Sequence, residues 1–104
     1  VKSKPTEAEI LAVLSAIERK ELSVRLLPGE ECAWGPSRPR YETANGWILE
    51  VWNDAGEWDY LESVTSPTGE VLDFEEMSER LQDYQPPQQV VSEICKFPLF
   101  SEAE

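Results

Sequence analysis

The spacing of apolar positions changes along the chain, and each change marks a new element. Ile10, Leu11, Val13, Leu14 and Ile17 fall within one arc of a helical wheel, which predicts an amphipathic helix from about Thr6 to Lys20. Thr6 and Glu9 have the spacing of a capping box, in which each side chain satisfies the other's free backbone N–H. Glu7 and Glu9 stand at the positive end of the helix dipole, Arg19 and Lys20 at its negative end. The run Leu22 to Leu27 then reads as a strand ended by Pro28-Gly29. Residues 30–39 read as irregular, because Pro36 and Pro39 remove backbone donors, with Trp34 folding back onto the core.

From Arg40 the pattern becomes that of an antiparallel meander. Arg40 to Ala44 is a short strand, and Asn45-Gly46 is the favoured pair for a two-residue type I′ hairpin turn. Trp47 to Trp52 follows, Asn53-Asp54-Ala55-Gly56 connects, and Glu57 to Thr65 returns. Ser66-Pro67-Thr68-Gly69 has turn chemistry, and Glu70 to Leu72 is a short last strand. Asp73 is placed to cap a second helix carrying Phe74, Met77, Leu81 and Tyr84 on one stripe, stopped by Pro86-Pro87. Pro87 is suited to open a third helix, with Val90, Val91, Ile94, Cys95 and Phe97 on its apolar side.

These turns imply two sheet faces. Trp47, Leu49, Val51, Trp58, Tyr60 and Val64 share the apolar one, expected to be the core. Tyr41, Thr43, Ile48, Glu50, Trp52, Asp59, Leu61, Ser63 and Thr65 share the other. That second face mixes aromatics with carboxylates, as a recognition surface for a basic partner requires. The competing reading has a further helix covering it, with Trp52 as ordinary core. A bulge at Gly56 would exchange the faces of the returning strand.

Length and composition fit this outline. The 104 residues suffice for one domain over 1–104, with frayed ends at 1–5 and 101–104, and the apolar share of 40 % is enough for one core. No apolar run approaches the roughly 18 residues of a membrane span. Without a signal-like start, the cytoplasm is the expected compartment.

Charge adds more. The net charge is −12, and it is concentrated: twelve acids stand against Arg80 alone between residues 41 and 84. Such a segment repels phosphates, which argues against direct nucleic-acid binding. It is either a solvated surface serving solubility or one that steers a basic protein.

Candidate chemistry is thin. With no histidine, imidazole bases, Ser-His-Asp triads and Cys/His zinc sites are excluded. Cys32 and Cys95 are two buried thiols or one disulfide, and Glu30 and Glu31 beside Cys32 disfavour its thiolate. The acids from Asn53 to Asp59 lack the spacing of an EF-hand loop. Glu57, Asp59 and Glu62 offer a carboxylate pair for acid–base work only if a cleft surrounds them. No cofactor or metal is implied.

Gly46-Trp47-Ile48-Leu49, Asn53-Asp54, Asp59-Tyr60 and Ser66-Pro67-Thr68-Gly69 resemble a small bacterial family without assigned function. There Gly-Trp opens a strand, Asn-Asp closes it, Asp-Tyr lies in the next and a Ser-Pro-Asp-Gly turn follows; Thr68 here replaces the aspartate. The resemblance implies a bacterial origin and a small α+β domain, and brings no catalytic residues.

The expected fold is therefore α+β: a mainly antiparallel four- to five-stranded meander, an N-terminal helix on one face, and one or two C-terminal helices. The expected function is that of a small acidic, non-enzymatic binding protein, inhibitor-like, immunity-type or a nucleic-acid mimic, that occupies a basic site on a partner. Tyr41, Glu50, Trp52, Asp54, Glu57 and Asp59 are its candidate contacts. The chain is expected to be a monomer or a homodimer; the alternatives are a soluble domain that self-associates, its acidity incidental, and a carboxylate enzyme.

Overall fold

A computed structural model describes residues 4–27, 38–54 and 57–87, with the backbone alone at Asp54 and Glu57. The expected third helix falls on residues outside those described, apart from Pro87, and Trp34, Cys32, Cys95, residues 1–3 and residues 101–104 also lie outside them. The order is helix α1 (Glu7–Glu18), then strands β1 (Val24–Leu26), β2 (Arg40–Thr43), β3 (Ile48–Asp54), β4 (Glu57–Thr65) and β5 (Val71–Asp73). A 3-10 turn (Phe74–Glu76) and the short helix α2 (Glu79–Gln82) follow. The five strands form one antiparallel meander in sequence order, so the chain is an α+β fold.

Helix α1 begins as its sequence dictates. The Glu9 N–H donates to the Thr6 hydroxyl at 3.2 Å, and the Thr6 N–H donates to the Glu9 carboxylate at 2.9 Å. Ile10, Val13, Leu14 and Ile17 are buried and pack with Tyr41, Leu49, Val51, Leu61 and Val64 of the sheet. Full burial of each such aliphatic side chain stabilises by roughly 1.5–3 kcal/mol. The helix stops two residues earlier than its pattern suggests. Lys20 adopts φ +62°, and the Glu21 N–H bonds back to the Ala16 carbonyl at 2.9 Å.

Two hairpins use one turn. In Thr43-Ala44-Asn45-Gly46-Trp47, the Gly46 N–H donates to the Thr43 carbonyl at 3.0 Å and Gly46 takes φ +95°. The Thr43 hydroxyl accepts the Trp47 N–H at 2.9 Å. In Ser66-Pro67-Thr68-Gly69-Glu70 the same bonds recur: Gly69 N–H to the Ser66 carbonyl at 2.9 Å, Gly69 at φ +94°, and Glu70 N–H to the Ser66 hydroxyl at 3.2 Å. Both are three-residue loops in which a hydrogen-bonded turn is followed by a left-handed glycine. The two turns meet, for a Cβ on Gly46 would stand 3.3 Å from the Pro67 Cβ.

The first of these turns corrects the expected two-residue loop. One extra loop residue slips the register by one, so Tyr41 pairs with Leu49 and Glu42 with Ile48. A one-residue slip moves every side chain of a strand to the other face. Tyr41 and Thr43 therefore lie on the core face, not the outer one.

The returning strand is corrected by two bulges. Trp58 pairs with Asn53, Tyr60 with Trp52, Leu61 with Val51, Ser63 with Glu50 and Val64 with Leu49, leaving Asp59 and Glu62 unpaired. Trp58, Leu61 and Val64 thus all point inward, and Tyr60 points outward. Leu61 and Tyr60 exchange the faces expected of them. The expected second helix is also broken in two. Met77 is extended and buried, and Ser78 opens α2 by accepting the Leu81 N–H at 3.4 Å. Turning Met77 into the core and restarting the helix at a serine cap offsets the lost helical bonds.

A candidate recognition face on the outer sheet

The register lays three rows of side chains across the outer face. Arg25, Glu42, Ile48, Thr65 and Val71 form the first; Arg40, Glu50, Ser63 and Asp73 form the second. The third is aromatic. The Val51 N–H bonds the Pro39 carbonyl at 3.1 Å, which carries the chain on to Arg38 beside Trp52. The Arg38 guanidinium lies 5.7 Å from the Trp52 ring. Trp52 stacks on Tyr60 with centroids 6.4 Å apart and planes 22° from parallel, and Tyr60 meets Phe74 at 4.9 Å and 53°. Each of these separations is in the range where aromatic pairs attract beyond area burial.

The face is electrically polarised. Its arginines come from β1, β2 and the residue pair before β2, whereas Asp59, Glu62, Asp73 and Glu75 gather at the β4–β5 end. Arg25 is paired with Glu42 at 2.7 Å, and the Ser63 hydroxyl donates to Glu50 at 3.1 Å. Burial, and then the charges of Glu62 and Asp59, push the Tyr60 hydroxyl above its ordinary range. Trp52, Tyr60 and Phe74 of the aromatic row are all partly exposed.

The predicted contacts divide. Glu50 and Trp52 are together on this face, and Asp59 is exposed at its bulge, where its carbonyl accepts the Gln85 amide at 2.6 Å. Asp54 and Glu57 pair at the end of the β3–β4 hairpin, the end nearest Trp52. Tyr41 does not belong: it is 1 % exposed, and its hydroxyl accepts from the Asn53 amide at 3.5 Å inside the core. Sequence reasoning missed Tyr60, Phe74, Glu62, Asp73 and Glu75. The three-residue spacing of Trp58, Leu61 and Val64 was the available signal, since a strand can bury all three only by bulging between them.

Among the described residues, no three His, Cys, Asp or Glu side chains are grouped to hold a metal ion, and no helix is long and apolar enough to cross a membrane. No family model, curated protein or solved structure matches this chain.

Proposed function

We propose that this chain is a non-enzymatic binding protein that docks a basic protein partner on the outer face of its sheet, in the manner of an inhibitor, an immunity-type protein or a nucleic-acid mimic. The observation that carries this reading is the partly exposed Trp52–Tyr60–Phe74 row bordered by carboxylates. Rigid aromatics supply contact area at little entropic cost, and are the residues on which binding energy concentrates. The carboxylates, with a net charge of −12 behind them, raise the rate of encounter with a basic surface and reject acidic ones. Trp52 is the anchor, Glu50 and Asp59 border the row, and Asp54 and Glu57 extend the acidic end of the hairpin.

The test is capture from the source lysate by immobilised chain at low and moderate salt, beside Trp52→Ala. The expected result is a basic protein held by the native chain, released as salt rises, and bound roughly 30-fold more weakly by a Trp52→Ala variant of unchanged fold. Retention of the same protein equally by both chains, or of no basic protein, overturns the reading. A concentration-dependent mass of the native chain, lost in Trp52→Ala, would instead assign the face to a second copy.

A further inference from the structure

One concavity on the outer face has a chemistry that narrows what the partner must present; this step rests on the reading above. It is lined by Tyr60 and Phe74, whose rings meet at 4.9 Å, and by Glu62, Asp73 and Glu75, with a volume of about 250 Å³. That is below the roughly 300–1,000 Å³ of small-molecule sites, and suits a single long side chain. Its aromatic rings and three carboxylates define its preference: a flat cation. The chain's own Arg38 already places a guanidinium on Trp52 at the opposite end of the same row. The Lys4 ammonium is hydrogen-bonded to Glu76, a carboxylate outside the lining. Lys4 also acts on Asp73 through space, and Glu62 lies beside the Tyr60 hydroxyl.

We propose that the notch formed by Tyr60, Phe74, Glu62, Asp73 and Glu75 receives an arginine side chain of the basic partner. A guanidinium stacks its plane on an aromatic ring while its edge forks to a carboxylate; a lysine ammonium offers only a point charge. Arg38, Trp52, Tyr60 and the incoming arginine then form one continuous stack across β2 to β5.

The experiment is an NMR titration of the full chain with a short Gly/Ser peptide carrying one arginine, beside the same peptide with citrulline or lysine. Saturable shifts centred on Tyr60, Phe74 and Glu62 are expected, with citrulline bound about tenfold more weakly for loss of both charge terms. Glu62→Gln combined with Glu75→Gln keeps shape and removes charge, and is expected to weaken the arginine peptide several-fold while the remaining spectrum is unchanged. Equal binding of citrulline or lysine, no saturable shift, or shifts centred away from the notch each overturn the assignment. Shifts centred on Trp52 would do so while leaving the outer-face reading intact. A captured partner whose affinity depends on Trp52 but not on Glu62 and Glu75 would have the same meaning.

Discussion

The Thr43 hydroxyl accepts the backbone N–H of Trp47 at 2.9 Å, and it donates to the Asn45 side chain at 2.6 Å. These two bonds hold a three-residue loop where the Asn-Gly pair alone favours a two-residue one. Everything about β2 follows from that choice, because the register decides which of its side chains meet α1. Thr43→Val should remove both bonds at nearly constant shape and cost about 1–2 kcal/mol, while Thr43→Ser should cost clearly less. Urea unfolding with an unchanged m-value would check it. A valine chain as stable as the native would sink the role given to the hydroxyl.

The bulges in β4 make a sharper contrast between neighbours. Leu61 is completely buried, and Leu61→Ala should cost about 2–5 kcal/mol through lost transfer energy and a residual cavity. Tyr60→Ala, one residue earlier, should cost no more than about 1.5 kcal/mol, since it removes a partly exposed stacking partner. Equal losses in the two unfolding midpoints would contradict the two-bulge register.

Lys20 occupies the left-handed region at φ +62°, where a Cβ is strained and glycine is not. Lys20→Gly should raise stability by about 0.5 kcal/mol, the relief of strain exceeding the entropy glycine adds to the unfolded chain. A thermal midpoint below that of the native chain would contradict this account of the helix end.

Tyr84 ties the segment after α2 back to α1. Its hydroxyl donates to the Glu18 carboxylate, and its ring meets Trp58 edge-on with centroids 5.8 Å apart. Burial first, then the bond to Glu18, raise its hydroxyl far above the ordinary value of 10. Because the folded value lies above the unfolded one, the contribution is whole below about pH 10 and declines as the unfolded phenol ionises at higher pH. Tyr41 and Tyr60 are raised as well, by burial first, and share the window. The native chain should therefore lose stability progressively above about pH 10, and Tyr84→Phe should lose less over the same interval. Parallel curves for the two chains would remove Tyr84 from the effect.

Local chemistry determined a large part of this molecule. Helix α1 and its capping box, the five-strand meander and the turn at Ser66 were all legible, because each depends on a few adjacent residues whose preferences agree. So was the outward placement of Glu50 and Trp52, which the alternation within β3 specifies by itself. What the tertiary structure alone decided was pairing. Thr43 and Ser66 in fact begin the same pattern, a hydroxyl residue three positions before a glycine, but the competing Asn-Gly signal at 45–46 concealed the first. Tyr41 went inward and Tyr60 outward because one added loop residue and two bulges moved the registers of β2 and β4, and a period of two turns any such slip into a change of face. The notch beside Phe74 lay further from reach. It exists only where β4 and the 3-10 turn are brought together by the sheet, through contacts that no local preference encodes.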